Sequence, residues 1–205
     1  MITQLENSQQ IQLLIDYYSS LPERFDLFFS VEKGTFVTGS IKHVFDALKL
    51  IKTDLHLISE KDIFLDAGSG DGRVCALAAL LGMRSFGIEY HEQIVSASIE
   101  NIDILNEKGL FESNRISIPV LVQGDFLDDN SFEKLGIKFE EISVFFNFVT
   151  YHEDLCAKIL EQSPKGTKLI LHSPCPTSFR PRDFELLKEI PLEGIYQVMY
   201  VFQKS

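Results

Sequence analysis

The sequence predicts an α/β protein with a mostly parallel sheet, on three observations. From Lys61 onward, short apolar runs alternate with amphipathic stretches of helical period, the pattern of repeated strand–helix–strand units. Gly68, Gly70 and Gly72 fall at alternate positions between the first such run and the helix after it. Hydrophobic residues make up 45% of the 205 residues and charged residues 24%, the balance of an ordinary globular protein able to cover a sheet on both faces.

Each element has its own signal. Within Ser8 to Ser20, Ile11, Leu14, Ile15 and Tyr18 recur at helical spacing and predict an amphipathic helix that Pro22 stops. An aromatic-rich connector, RFDLFFSVEKGTFVTG, comes next, with Gly34 and Gly39 as punctuation. A second helix is predicted from about Ser40, a candidate N-cap, to Thr53. Residues 1–58 therefore read as an N-terminal helical cap and 59–205 as the main domain, together one structural unit. In the main domain, strands are predicted over Ile63–Asp66, Arg84–Glu89, Ile116–Gln123, Ile142–Asn147 and Lys168–His172. Helices are predicted over Arg73–Leu81, His91–Lys108 (ended by Gly109), Asn130–Leu135, Glu153–Gln162 and Arg182–Glu189. Gly194–Gln203 reads as a terminal strand region, and Pro191 with Gly194 leaves a hairpin edge open.

Charge and cysteine usage narrow the function. Lys plus Arg number 19 against 30 Asp plus Glu, a net charge of −11; a nucleic-acid sheath or an anionic membrane surface wants the opposite sign. Cys75, Cys156 and Cys175 share no close spacing, so neither a disulfide framework nor a zinc knuckle is expected, and a reducing, cytoplasmic setting is. His43, His56 and His172 lack metal-ligand spacing, and no metal is expected. The N-terminal MITQLENSQQIQLL lacks the regions of a signal peptide, and no apolar run approaches membrane-spanning length.

The chemistry points to Phe64–Arg73, FLDAGSGDGR. Glycines are needed where backbone turns with positive φ, or where a ligand lies against it with no Cβ between. In an open α/β sheet, ligands bind at the carboxyl ends of strands. A dinucleotide loop would need Gly where Arg73 stands, and no Walker loop exists in the chain. Asp66, just before the first glycine, would repel a pyrophosphate and suit a cation. Glu89 ends the next strand, 23 residues on, where an acid accepts hydrogen bonds from a ribose diol.

Together these motifs resemble the class I S-adenosylmethionine-dependent methyltransferases. Asp66–Gly72 resembles their first motif, Glu89 the acid ending their second strand, and QGDFLDD (Gln123–Asp129) their third-strand motif. SVFFNF (Ser143–Phe148) stands at the fourth-strand position, and KGTKLILHSP (Lys165–Pro174) is similar to the fifth-strand segment. The resemblance covers about residues 60 to 175 and implies a Rossmann-like, mostly parallel seven-strand sheet with helices on both faces. It also implies S-adenosyl-L-methionine bound by Asp66, Gly68, Ser69, Gly70, Glu89, Tyr90, Asp125, Phe126 and Asn147, with the glycine backbone beneath the methionine portion, Glu89 on the ribose, and Asp125 and Phe126 flanking the adenine.

The residues after Asn147 narrow the acceptor. Base amine methyltransferases of this class carry [DNS]-P-P-[YFW] there; the stretch here is Asn147-Phe148-Val149-Thr150-Tyr151, without either proline. DAGSGDGR, GDFLDD and the fourth-strand stretch instead resemble the Dot1-like and related small seven-strand protein lysine methyltransferases, and TFVTGSIKHVFDAL (Thr35–Leu48) is similar to their segment over the methionine end. By that resemblance Asn147 and Tyr151 line a narrow aromatic channel as catalytic residues, closed by Phe36 or Thr38. Such a channel desolvates a lysine amine and favours the neutral form that attacks. A protein lysine or similar amine is thus the expected acceptor, with a small-molecule acceptor or a non-catalytic scaffold as alternatives. Nucleic acid and membrane are not expected partners.

Overall fold

Apolar runs become the strands of one sheet in a computed structural model that describes residues 7–21, 40–112, 116–148 and 150–205. The strands are β1 (Ile63–Ala67), β2 (Arg84–Glu89), β3 (Val120–Gln123), β4 (Val144–Asn147), β5 (Lys168–Ser173), β6 (Phe184–Pro191) and β7 (Val198–Lys204). Their order is β3-β2-β1-β4-β5-β7-β6. The first five are parallel, and β7 runs antiparallel to both neighbours, so the sheet is mixed. The direction of winding reverses between β1 and β4, which opens a crevice at their carboxyl ends.

Six α-helices accompany these strands among the described residues: α1 (Asn7–Ser20), α2 (Ile41–Thr53), α3 (Arg73–Leu80), α4 (Glu92–Glu107), α5 (Asp129–Leu135) and α6 (His152–Gln162). Side chains alternate across a strand, and the buried residues accordingly divide into two clusters. Phe64, Val144, Phe146, Ile170 and Val201 pack with α1, α2, α3 and α4 on one face. Leu65, Phe145, Leu169, Tyr200 and Phe202 pack with α5 and α6 on the other. The connector with Phe36 and Thr38 lies outside the described residues.

Most predicted elements form within a residue or two of their expected ends, and three expectations are corrected. The strand predicted over Ile116–Gln123 begins only at Val120, because Pro119 has no N–H to give a ladder and Ile118 is exposed. Ser40 occupies the N-cap position of α2, but its side chain makes no capping hydrogen bond. The helix predicted over Arg182–Glu189 is strand β6. A register shift between Leu186 and Lys188 places a bulge at Leu187. Phe184 and Leu186 therefore face the α5–α6 cluster while Leu187 and Ile190 face the other. A bulge shifts the face-to-residue assignment by one and breaks period two, which in sequence imitates helical spacing. The hairpin left open at Pro191 and Gly194 does form, joining β6 to β7.

Candidate active site

The loop after β1 is a closed backbone turn. Gly68, Gly70 and Gly72 all have positive φ, at 87°, 54° and 84°. The N–H groups of Gly68 and Ser69 donate to the Ile88 carbonyl at 2.9 and 3.1 Å, and Gly72 N–H donates to the Ser69 carbonyl at 3.0 Å. Gly70 N–H donates to Glu89 Oε2 at 3.0 Å, and the other carboxylate oxygen accepts from His91 N–H at 3.0 Å. Glu89 at the end of β2 thus ties the loop to the start of α4. A Cβ on Gly68 would meet nothing within 4 Å, so this turn leaves open space where a ligand can lie against backbone.

Asp66 is almost fully buried in β1. Burial drives its carboxyl well above the usual carboxylate range, and the nearby Glu89 and Asp71 charges push it the same way. None of these influences is that of a cation, and the charge of a cationic ligand would oppose them. Cys75 Sγ stands 4.0 Å from Asp66 Oδ2, and burial likewise raises that thiol. Ser69 Oγ is buried and has no hydrogen-bond partner among the described residues. Open space beside Gly68, an orphaned hydroxyl and a buried carboxyl group fit a positively charged ligand lying against the turn.

At the end of β3, Asp125 Oδ1 accepts from Leu127 N–H at 2.9 Å, and the Asp125 carbonyl accepts from Ser131 Oγ at 2.7 Å. Phe126 is buried in the α5–α6 cluster. Tyr90 is 41% exposed, its ring edge-on to His91 at 5.4 Å. Lys158 on α6 holds the β3 loop from below. Its Nζ donates to the Leu127 carbonyl at 2.9 Å, pairs with Asp129 at 2.5 Å, and lies over the Phe132 and Phe139 rings.

Asn147 at the tip of β4 is fully buried. Its Nδ2 donates to the Ala67 carbonyl at 2.8 Å and to the Thr150 carbonyl at 3.1 Å, joining the ends of β1 and β4. Both amide hydrogens are occupied, and Oδ1 has no partner among the described residues. Tyr151, half-exposed at the N-cap of α6, has φ 51°, a left-handed conformation costly for a residue with a Cβ. Beside them His172 of β5 is buried, with Nε2 2.8 Å from Gln197 Oε1 and its ring edge-on to Phe148 at 4.6 Å. Burial lowers its pKa to about 4, so the imidazole is neutral.

The expected residues fall at the carboxyl ends of the adjacent strands β3, β2, β1 and β4 and in the segments that follow them. Others at that end of the sheet went unread. Gly87 in β2 was visible as a glycine inside a strand; a Cβ there would sit 2.5 Å from Leu121, 2.7 Å from Ser69 and 2.8 Å from Cys75. Gly124 leaves room for Ser131 in the same way. Lys158 and His172 carry no local signal, since only the fold brings them there.

The sheet order, the glycine turn and the crevice between β1 and β4, together with the family and structural matches that follow, make the chain a class I S-adenosylmethionine-dependent methyltransferase. The family model described as histone methylation protein DOT1 matches residues 34–200, and the chain belongs to that family. Solved structures share the fold. An RNA methyltransferase from Salinibacter ruber, solved with S-adenosyl-L-homocysteine, is 24% identical with a TM-score of 0.58 over 82% of this chain and 94% of that one. A candidate RNA methyltransferase from Pyrococcus horikoshii is 17% identical with a TM-score of 0.62 over 96% and 98%. The mitomycin 7-O-methyltransferase MmcR is 10% identical with a TM-score of 0.55, over 81% of this chain and 54% of that one. No curated protein matches the chain. Among the described residues, no helix is long and apolar enough to cross a membrane.

Proposed function

We propose that this methyltransferase acts on an amine nitrogen, with a protein lysine as acceptor. The observation that carries the reading is Asn147. Its amide hydrogens are held by two carbonyls, which fixes the amide orientation and leaves Oδ1 as a buried acceptor without a donor among the described residues. An unpaired buried acceptor is costly, and an incoming N–H would satisfy it. Bound S-adenosylmethionine supplies a methyl carbon on a cationic sulfur. Asp66 and Glu89 would offset positive charge, the Gly68–Gly70 backbone and Ser69 would hold the methionine end, Glu89 and Tyr90 the ribose, and Asp125 and Phe126 the adenine. Asn147 would orient the amine lone pair, and Tyr151 would wall the approach and exclude water. Alignment of this kind supplies much of the rate in an in-line displacement.

A protein acceptor is favoured by the family's description in terms of histone methylation. The net charge of −11 and the absence of paired prolines after Asn147 weigh against RNA, the substrate class named for several of the structural neighbours. The test is transfer of labelled methyl from S-adenosylmethionine to lysine-rich proteins, to the same proteins with their lysines acetylated, and to RNA. Label confined to the untreated proteins is expected. Label in RNA, or equal label after acetylation, would refute a lysine acceptor.

A further inference from the structure

The Asp71 carbonyl belongs to neither strand nor helix, since Gly72 is the N-cap of α3. A part-buried carbonyl outside any ladder needs donors from elsewhere. Two arrive from different elements: Tyr18 Oη of α1 donates to it at 3.2 Å, and Asn101 Nδ2 of α4 donates at 3.1 Å. Tyr17 Oη in turn donates to Asn101 Oδ1 at 2.9 Å, so α1 also orients the α4 amide. The Asp71 side chain is held separately, by Arg73 at 2.5 Å, and the Arg73 guanidinium lies over the Tyr18 ring at 5.2 Å. Tyr18 is 3% exposed, and burial raises its hydroxyl well above the usual tyrosine range, so it stays a donor.

The peptide unit that carries this carbonyl also carries the Gly72 N–H, which closes the glycine turn on the Ser69 carbonyl at 3.0 Å. A peptide unit is planar and turns as one body. Fixing its oxygen therefore fixes its N–H, and with it the turn that presents Gly70 N–H to Glu89. Gly72, at one end of that unit, offers little resistance to its rotation, so the two donors to the Asp71 carbonyl supply restraint that the Gly72 side of the backbone lacks.

We propose that α1 is a working part of the cofactor site. Tyr18 and Asn101 are positioning residues that hold the Asp71–Gly72 peptide, and thereby the glycine turn, in its binding geometry. The inference rests on the reading of this turn as the S-adenosylmethionine site, and it assigns the N-terminal helix a role in affinity that packing alone would not give. By linkage the coupling is reciprocal: cofactor binding tightens the docking of α1.

The experiment compares the full-length protein with Tyr18→Phe, Asn101→Ala and the double variant, by calorimetric titration with S-adenosylhomocysteine well below each melting temperature. Amide exchange across residues 68–74 without ligand is measured alongside. Tyr18→Phe keeps the ring and its packing and loses only the donor. Its dissociation constant is expected to rise about tenfold, the equivalent of losing one hydrogen bond, and exchange at Gly70 and Gly72 to quicken while the melting temperature moves little. The double variant should exceed either single one, since the carbonyl then loses both donors. A purely structural α1 would lower the melting temperature and leave affinity within twofold, and that result overturns the proposal. Absence of binding by the unaltered protein would instead refute the cofactor reading. The exchange data stand without ligand, and unchanged exchange in Tyr18→Phe refutes the hold on the turn.

Discussion

The turn after β1 and the loop after β4 lie side by side, joined by the bond from Asn147 to the Ala67 carbonyl, and they are built on opposite plans. In the first, Gly68, Ser69, Gly70 and Gly72 each donate an N–H to an internal partner, and positive φ falls on glycine. In the second, positive φ falls on Tyr151, and the central side chain keeps an acceptor with no donor among the described residues. A turn whose backbone N–H groups are satisfied and whose positive φ falls on glycine is made to be rigid before anything binds. The Ser69 hydroxyl, without a partner among the described residues, is the group it leaves open. Strain and an unmet acceptor persist where function requires them. On the proposed reading the first loop holds the cofactor and the second performs transfer.

The sharpest way to break that division is Asn147→Ala. Transfer should fall by about a hundred- to a thousandfold, the range for losing one preorganised polar group, while S-adenosylhomocysteine affinity changes less than about threefold. Single-turnover rates and calorimetry together check this. An equal loss in both would merge the two loops into one function.

Asp66→Asn should act on the other side. Loss of the buried charge should weaken S-adenosylmethionine binding by about a hundredfold, the worth of a few kcal/mol. It should also raise the stability of the ligand-free protein. Asp66 has a folded-state pKa above its unfolded value, so its contribution is favourable below the unfolded pKa and is lost as pH rises through the folded one. At about pH 7 the variant should melt higher than the parent, and the two should converge towards about pH 4, near the unfolded value of a carboxyl group. Equal melting temperatures at both pH values would argue against an uncompensated charge at Asp66.

Gly87→Ala tests whether the first loop is braced from beneath. The added Cβ would crowd Leu121, Ser69 and Cys75, and overpacking of this kind costs about 1–3 kcal/mol. Denaturant unfolding should show that loss together with weaker cofactor binding, because Ser69 belongs to the turn. His172 offers the smallest effect near neutrality. Its folded pKa of about 4 lies below the ordinary histidine value because burial disfavours the charged ring. Stability should therefore decline as pH falls through about 6.5 towards 4, with about 1 kcal/mol lost by about pH 6. His172→Gln should flatten that slope without altering the turn after β1.

The same contrast governs what could be read from the chain. The strands and the β1 turn announce themselves locally, through apolar runs and the glycines Gly68, Gly70 and Gly72, because backbone conformation there is set by residues a few positions apart. The β6 strand did not, because the bulge at Leu187 moved its apolar residues between faces and produced helical spacing in a paired strand. Tyr18, Asn101, Lys158 and His172 reach the strand-end loops only through tertiary packing. Tyr18 was legible as one apolar position of an amphipathic helix, whereas its hydroxyl's partner, 53 residues away, was not.

The central claim, that the turn after β1 holds S-adenosylmethionine, is tested most directly by thermal unfolding of the full chain with and without that ligand and its demethylated product. At about one hundred times the dissociation constant, linkage predicts about 2.7 kcal/mol of added stability, a rise of roughly 5 to 10 °C for a chain of this size. A rise with both ligands and none with NAD or ATP is the expected result. No rise at saturating concentration, or an equal rise with NAD or ATP, would contradict the account.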